Sequence, residues 1–389
     1  MVFAKFVELI YPFSVIPRAY EPLSTHVMPG KVVLIYGPRR VGKTTLLKGY
    51  LAGTDLKAKL VSGDDVRVQE VLGSSDTAQL LPYVEGYEIL AVDEAQEIPN
   101  IGMNLKILVD QLPDLRVVAT GSSSFELAGQ VGEPLTGRKR TLTLFPLAQM
   151  ELLGQNNRFE LRERLGEFLV FGTYPEVLLA GSRTEKMAVV SEIAGAYLLK
   201  DVLALDRVRS SRTLLDLLRL LAFQVGSEVS LPELATGIGM DVKTVQRYLD
   251  LLEKAFVIIR LGGFSRNLRQ EVIRKAKYYF YDTGIRNAVI AQFNELAQRD
   301  DVGRLWENFV FIERLKKRTY TPIFANPYFW RTYDQQEIDL VEERDGSLFG
   351  YETKWSSKRP VKSPSLWRAT YPEAGFEVIT PENYLKFVA

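Results

Sequence analysis

One short segment of the sequence contains the residue types that hold phosphate groups. In order, it reads Gly37, Pro38, Arg39, Arg40, Val41, Gly42, Lys43, Thr44 and Thr45. The spacing fits G-x-x-x-x-G-K-[ST], in which glycines let backbone N–H groups approach phosphates and the lysine reaches the outer phosphates. The hydroxyl of Thr44 is expected to bind magnesium. The sequence therefore predicts that residues 37–45 form a phosphate-binding loop, with Lys43 as its catalytic cation.

Two adjacent carboxylates follow a second apolar run, YEILAVDE at residues 87–94. Asp93 would hold magnesium through water, while Glu94 would polarise the attacking water, as a hydrolytic enzyme requires. On its own such a pair is an ordinary helix N-cap ahead of AQEIPN. With the glycine-rich loop upstream, the two motifs predict a site that binds ATP and Mg²⁺ and hydrolyses ATP. A kinase using the same loop is disfavoured, because Glu94 suits water activation.

The residues around these motifs predict a parallel sheet that positions them. KVVLIY at residues 31–36 is an apolar run typical of a strand buried on both faces, and an amphipathic helical spacing follows the loop. A third strand, RVVAT at residues 116–120, leads into a serine cluster. We expect Ser122 to sense the γ-phosphate, and the alternative for this cluster is a helix cap.

Two arginines flank the last predicted strand of this sheet. Arg138 and Arg140, in LTGRKRTLTLFPL, could neutralise transition-state charge in cis or from a neighbouring subunit. The alternative is a solvated basic turn. Action in trans would require a homo-oligomer, which the sequence does not determine.

These motifs resemble those of the AAA+ superfamily ATPases of archaea and bacteria whose C-terminal half is a domain of unknown function. GPRRVGKTT, VDEAQ, TGSSS and LTGRKR stand in that family's order, followed by segments similar to its FGTYPEV, YDTGIRNA and WENFVF. The resemblance spans nearly the whole chain. It implies an α/β fold with a P-loop, AAA+-type ATPase core, a winged helix and a restriction-endonuclease-like α/β domain. We place these at residues 1–148, 211–265 and 266–389, with a helical lid at 149–210.

Residues 211–264 show a helix-turn-helix pattern. The buried stripe of its third helix would consist of Val245, Tyr248, Leu249 and Leu252. The polar residues that would then face outward, toward double-stranded DNA, are Lys243, Thr244, Gln246 and Arg247. A phosphate-contacting wing is expected downstream, where one acidic residue, Glu271, is outnumbered by Lys254, Arg260, Arg266, Arg269, Arg274, Lys275 and Lys277. The alternative is a winged helix with a structural or protein-binding role.

Two carboxylates and a lysine are predicted to share one face of a C-terminal hairpin with an Asp-Gly turn. Asp339 lies on the first strand, and Glu352 and Lys354 lie two apart on the second. Acidic groups that hold magnesium beside a lysine can hydrolyse phosphodiesters. The pattern resembles the PD-(D/E)xK nuclease signature, with Glu307 as the additional acidic residue. Three interpretations stay open: a metal-binding nuclease, a nuclease-like domain that does not cleave, and an unrelated exposed hairpin.

The bulk composition excludes several other classes of protein. The 389 residues include no cysteine and one histidine, His26, which rules out disulfides, thiolate zinc sites and histidine-based triads. The net charge of +1 means that any nucleic-acid surface must be local. No apolar run approaches the roughly 20 residues that cross a bilayer, and the N-terminal stretch does not fit a signal peptide. We therefore expect a cytoplasmic protein with no membrane partner.

Two functions remain open for the whole chain. The first is a DNA-acting ATPase whose nucleotide state controls a DNA-binding winged helix and a nuclease-like C-terminal half, and it predicts DNA-stimulated hydrolysis. The second is an ATP-driven regulatory switch that acts on a protein partner, with a nuclease-like scaffold that does not cleave. It predicts no response to DNA. ATP and ADP are the ligands in both cases.

Overall fold

The N-terminal part of the protein is built on a parallel five-stranded sheet. The computed structural model describes residues 16–121, 135–197, 211–266, 275–356 and 361–389. The strands are β1 (Val32–Tyr36), β2 (Ala58–Ser62), β3 (Ile89–Asp93), β4 (Arg116–Gly121) and β5 (Lys139–Thr143). Their order in the sheet is β2-β3-β4-β1-β5. The strands predicted before the loop, the carboxylates and the serine cluster are confirmed as β1, β3 and β4, with β4 in the middle.

Side chains of β1 alternate between two packed layers, because successive residues of a strand point to opposite faces. Val33 and Ile35 pack in a core that contains Leu47 of α1 (Lys43–Ala52). Val32 and Leu34 pack in a second core on the other face. That second core includes residues of α2 (Val66–Leu72), α3 (Thr77–Val84) and α4 (Ile101–Gln111). Both faces of β1 are covered, as its uninterrupted apolar run predicts.

Residues 149–197 are helical, with a break after residue 171. The helices are α5 (Gln149–Leu152), α6 (Arg158–Glu163), α7 (Leu165–Phe171), α8 (Pro175–Leu179) and α9 (Arg183–Glu192), followed by a π-helical turn at Ile193–Tyr197. Gly172 ends α7 with a φ of 79°, and a Cβ at this position would lie 1.9 Å from a carboxylate oxygen of Asp282. Only glycine fits so close to Asp282. Its left-handed φ ends the helix, which accounts for the break.

In the described parts of residues 211–280, three helices combine with a small antiparallel sheet. The elements are α10 (Ser211–Phe223), β6 (Glu228–Val229), α11 (Leu231–Ile238), α12 (Val242–Lys254), β7 (Ile258–Gly262) and β8 (Ala276–Phe280). The sheet order is β6-β8-β7. The predicted stripe of α12 is buried as expected. The predicted domain boundary between residues 265 and 266 falls inside this sheet, because β7 and β8 pair with each other.

The C-terminal part contains a mixed four-stranded sheet. Its elements, in chain order, are α13 (Thr283–Val289), α14 (Val302–Tyr320), β9 (Asn326–Arg331), β10 (Glu337–Arg344), β11 (Ser347–Thr353), α15 (Ser365–Thr370), β12 (Gly375–Ile379) and α16 (Tyr384–Val388). The order is β12-β11-β10-β9, with only the β11–β12 pair parallel. The predicted hairpin turn is confirmed, since Asp345 and Gly346 have φ angles of 48° and 76°. Across the described ranges, no helix combines the length and the apolar character needed to cross a membrane.

Helix α14 joins the C-terminal sheet to the first half of the chain. Its buried Glu313 accepts a hydrogen bond from the backbone N–H of Gln149 at 2.6 Å. Lys316 donates to the carbonyl of Leu147 and to the hydroxyl of Thr173, each at 3.1 Å. Lys316 also pairs with Glu313, so the buried charges compensate each other. The helix is thereby held against the segment that follows β5.

Candidate functional site

The loop between β1 and α1 has a backbone conformation that depends on glycine. Gly37 has a φ of 149°, and a Cβ there would lie 1.9 Å from the carbonyl oxygen of Leu144. Gly42, with a φ of 95°, precedes α1 directly. Helix α1 begins at Lys43, directly after the loop. The first backbone N–H groups of α1 and the positive end of its dipole therefore lie at the loop. That arrangement stabilises a bound anion.

The ammonium group of Lys43 is held inside this loop. Lys43 Nζ donates to the carbonyl oxygens of Gly37 at 2.8 Å and Pro38 at 2.7 Å, and the residue is only 5% exposed. Buried ammonium groups require such acceptors. The predicted phosphate-contacting lysine therefore lies in the loop, in reach of any anion bound there.

The two predicted magnesium ligands lie in contact. The hydroxyl of Thr44, on α1, donates to both carboxylate oxygens of Asp93, at 3.0 and 2.9 Å. The hydroxyl of Thr120, at the end of β4, donates to the same carboxylate and accepts a bond from the backbone N–H of Glu94. A hydroxyl and a carboxylate are oxygen donors of the kind that Mg²⁺ prefers, so these residues fit the metal. Thr120 is an additional site residue that the sequence pattern did not single out.

Glu94 faces the same pocket from a constrained position. Its φ of 50° and ψ of 46° are left-handed, which turns the chain sharply after β3. Gln96 Nε2 donates to a carboxylate oxygen of Glu94 at 2.5 Å, and Arg39 Nη1 lies 3.8 Å from the same atom. Glu94 is thus positioned beside the loop by two neighbours. Ser122 lies outside the described residues.

A pocket of about 830 Å³ opens beside the loop. Of the predicted loop, residues 39–45 line it, together with Glu94. Its apolar wall comes from the N-terminal segment, the segment after β5 and residues 149–197, through Ile16, Leu147, Pro175, Leu179, Ala180 and Val189. A pocket that combines the charged groups of the loop with an apolar wall fits a nucleotide. The sequence indicated the loop but none of the residues of the apolar wall.

Arg40 links the phosphate-binding loop to the helices that cover the pocket. Its Nη1 lies 3.1 Å from Glu176 of α8 and its Nη2 lies 2.7 Å from Glu192 of α9. Both carboxylates are about half exposed, so each pair contributes little to stability. The geometry nonetheless connects the loop directly to residues 149–197.

The two predicted arginines lie near the N-terminal ends of the strands, whereas the loop follows the C-terminal end of β1. Lys139 is level with Val32, at the start of β1, whereas the loop follows the other end of that strand. Arg138 precedes this position and its Nε donates to Asp110, and Arg140 is exposed. The expectation that either arginine acts in cis is therefore wrong, because Arg140 is level with Val33, four residues or roughly 13 Å before Gly37, and Arg138 lies two residues further away.

The C-terminal carboxylates form a separate cluster around Lys277. The Nζ of Lys277 lies 2.5 Å from Glu337, 3.0 Å from Glu307 and 4.0 Å from Asp339. Lys277 is 1% exposed, so the expectation that it contacts DNA from a basic wing is wrong. Its strand, β8, is fully buried, and a count of local charges could not show this.

Glu352 and Lys354 complete the cluster. Lys354 Nζ donates to Glu352 at 2.6 Å, and Asp339 accepts bonds from the N–H and hydroxyl of Thr353, both at 2.8 Å. All four predicted residues therefore gather near Lys277. Within the described ranges, however, no three acidic or histidine side chains are arranged to hold a metal ion. Magnesium needs only one or two carboxylates, so a magnesium site at Asp339 and Glu352 stays a prediction.

Burial governs the ionisation of this cluster. It raises the pKa of Glu307 to about 7 despite the opposing charge of Lys277. Burial, with the nearby Asp339, also raises the pKa of Glu352 to about 7. Burial alone would lower the pKa of Lys277, but its carboxylate neighbours raise it above the usual value. These carboxylates therefore stabilise the charged form of Lys277.

The residues predicted to contact DNA lie on the first turns of α12. Lys243 and Arg247 are exposed. The hydroxyl of Thr244 donates to Asp241 at 2.6 Å and its N–H donates to the same carboxylate at 2.9 Å. Thr244 therefore belongs to the helix cap, and the two basic residues form the outward surface.

Three family models match successive parts of the chain. Residues 29–153 match the model of an AAA domain, and residues 162–296 and 302–384 match two models described as domains of unknown function, DUF8612 and DUF4143. An uncharacterized protein of Mycobacterium tuberculosis is 29% identical over 342 residues, which cover 87% of this chain and 72% of the relative. An uncharacterized protein of Methanocaldococcus jannaschii is 24% identical over 393 residues, which cover 92% of this chain and 86% of the relative.

Among solved structures, the RuvB Holliday junction branch migration motor of Thermotoga maritima is similar, with 18% identity and a TM-score of 0.29. The alignment covers 67% of this chain and 88% of that chain. An overlap this weak carries no conclusion about function. The match of residues 29–153, the sheet order and the loop geometry show that the N-terminal part is an AAA-type P-loop domain.

Proposed function

We propose that the chain binds ATP with Mg²⁺ and hydrolyses ATP in the pocket beside residues 37–45. The observation that carries this proposal is the 2.9 Å contact between the Thr44 hydroxyl and the Asp93 carboxylate. It joins two segments 49 residues apart in the sequence and places Glu94, the next residue, at the same point. Such a set supports hydrolysis, since binding alone would not need Glu94.

Each residue has a separate task in this proposal. When bound, Mg²⁺ supplies positive charge that offsets the charge of the phosphate oxygens. Thr44 and Asp93 would hold it, with Thr120 fixing the orientation of the carboxylate. Lys43 would exchange the carbonyls of Gly37 and Pro38 for the outer phosphates. Glu94 would hold and polarise the attacking water.

The unit from α10 to β8 is proposed to be a winged helix that contacts double-stranded DNA. The support is the exposed pair Lys243 and Arg247 on α12, next to the antiparallel β7–β8 hairpin. Basic side chains on one helix face suit phosphate contacts. ATP hydrolysis would then respond to DNA, and α14 is the element that could carry the response.

The C-terminal sheet is proposed to be a nuclease-like scaffold that does not cleave. The support is Lys277, whose ammonium group occupies the space between Glu307 and Glu337. A resident cation there would compete with a metal ion for the same carboxylates. This observation also favours the second candidate function, a nucleotide switch that acts on a protein partner.

The test is steady-state ATP hydrolysis with Mg²⁺, with and without double-stranded DNA, for the wild type, Lys43→Ala and the double variant Lys243→Ala/Arg247→Ala. The matched control is Arg158→Ala/Lys386→Ala, which removes two exposed positive charges elsewhere. We expect DNA to raise a rate that Lys43→Ala abolishes, and the α12 double variant alone to lose the stimulation. Lys43-dependent hydrolysis that ignores DNA would refute the DNA proposal and leave the protein-partner switch.

A further inference from the structure

Arg18 is a buried arginine that touches the phosphate-binding loop from outside the motif. It is 8% exposed and lines the pocket. Its Nη1 donates to the carbonyl of Val41, inside the loop, and its Nη2 donates to the carbonyl of Phe145 at 2.7 Å. Its Nε donates to a carboxylate oxygen of Glu151 at 2.9 Å. One guanidinium group thus connects the loop, the segment after β5 and α5.

Glu151 fixes the guanidinium in this position. The same carboxylate accepts bonds from the backbone N–H groups of Ala19 and Ala148, each at 2.8 Å. Both charged groups are therefore buried, paired and hydrogen-bonded, which is the condition under which a buried ion pair is well ordered. Arg18 has little freedom to leave the carbonyl of Val41.

The contact with Val41 determines the direction of the next N–H group. The carbonyl of Val41 and the N–H of Gly42 belong to one planar trans peptide, in which they point in opposite directions. Gly42 has a φ of 95° and no side chain to limit its backbone. The guanidinium lies directly beside it, since a Cβ on Gly42 would be 3.5 Å from Nη1 of Arg18. With the carbonyl held by Arg18, the N–H points away from the guanidinium.

We propose that Arg18 is a positioning residue that orients the Gly42 N–H toward the phosphates of the bound nucleotide. This inference rests on the proposed nucleotide site. Arg18 itself uses its donors on protein acceptors, so it acts through the loop and not by contact with the phosphates. A neutral residue would leave the Val41–Gly42 peptide free to rotate, and phosphate binding would lose a preorganised donor.

The experiment measures the affinities of ATP, ADP and adenosine by titration calorimetry for the wild type, Arg18→Met and Arg18→Lys. A lysine ammonium cannot reach Val41, Phe145 and Glu151 at once, but it keeps the positive charge opposite Glu151 and so protects folding. The matched control is Arg299→Met, because Arg299 is also 8% exposed and pairs with Asp301 through separate contacts.

We expect ATP and ADP to bind about tenfold more weakly to both Arg18 variants, which corresponds to the loss of roughly one hydrogen bond to the ligand. Adenosine should bind them like the wild type, and Arg299→Met should bind all three ligands normally. Wild-type ATP affinity in folded Arg18→Lys, or an equal loss for adenosine, would overturn the positioning role. Failure of the wild type to bind ATP or ADP would instead refute the nucleotide site.

Discussion

The backbone N–H of Phe145 donates to the hydroxyl oxygen of Tyr320 at 3.0 Å. The carbonyl of the same residue accepts from Arg18, which touches the phosphate-binding loop. Tyr320 is the last residue of α14, and Glu307 of the carboxylate cluster lies on the same helix, about 20 Å away at 1.5 Å per residue. One helix therefore contacts both the edge of the nucleotide pocket and the C-terminal cluster.

Replacing Tyr320 with phenylalanine should destabilise the protein without removing apolar packing. The N–H of Phe145 would lose its acceptor in a buried site, which costs about 1–3 kcal/mol of unfolding free energy. Urea denaturation of wild type and Tyr320→Phe measures the difference. Tyr333→Phe is the control, because Tyr333 is exposed and its change should stay within about 0.5 kcal/mol. Equal midpoints for Tyr320→Phe and wild type would contradict the structural role of the contact.

Removal of Lys277 should be far more costly than removal of its exposed neighbour. Lys277→Met leaves Glu307, Glu337 and Asp339 without their shared cation, and breaking a buried pair in this way costs about 3–5 kcal/mol. Lys275→Met removes an exposed lysine from the flank of the same strand and should cost less than about 1 kcal/mol. Thermal or urea denaturation compares the two variants. Similar stabilities would show that Lys277 is not the compensating cation.

The stability of the protein should depend on pH through Glu307. Its pKa is raised from 4.5 to about 7 in the folded state. Between these values the folded protein holds a proton that the unfolded chain releases, so this group's contribution to stability falls as pH rises from 5 to 7. The change should be on the order of 1–2 kcal/mol. Urea denaturation at pH 5, 6 and 7 should show a steeper fall for wild type than for Glu307→Gln, whereas parallel profiles would exclude the raised pKa.

Two glycine-to-alanine changes near the loop should have opposite effects. Gly37→Ala places a Cβ 1.9 Å from the Leu144 carbonyl at a left-handed φ, so folding of the loop and ATP binding should be lost. Gly49→Ala lies within α1 with no atom within 4 Å of the new Cβ, and it should stabilise the protein by about 0.5–1 kcal/mol. Circular dichroism melting and ATP titration test both variants. Retained ATP binding in Gly37→Ala would refute the described loop conformation.

The sequence predicts those parts of the structure that are determined by residues close together along the chain. The loop at residues 37–45, strands β1, β3 and β4, the buried stripe of α12 and the hairpin turn at Asp345 were all accessible from local patterns. Arg18 was not, because its acceptors lie 23, 127 and 133 residues away. Thr120 was missed for a related reason, since only the sheet order places β4 between β1 and β3.

Local charge in the sequence was the least reliable guide to the role of a residue. Lys277 stands in a basic segment but lies on a strand buried at every position, so its charge serves the carboxylate cluster. Arg138 lies in a motif, LTGRKR, that resembles one of known ATPases, yet the strand after it runs toward the loop and leaves the arginine at the other end of that strand. In both cases the direction of a side chain depends on tertiary pairing, which residue spacing does not encode.

The measurement that tests the central claim most directly is ATP hydrolysis by Glu94→Gln beside its ATP affinity. The substitution preserves the shape of the side chain and removes the carboxylate that would polarise water. We predict wild-type ATP affinity with a kcat at least about 100-fold lower, while Glu97→Gln, an exposed neighbour, keeps the wild-type rate. Hydrolysis by Glu94→Gln within a few-fold of wild type would contradict the proposed ATPase mechanism.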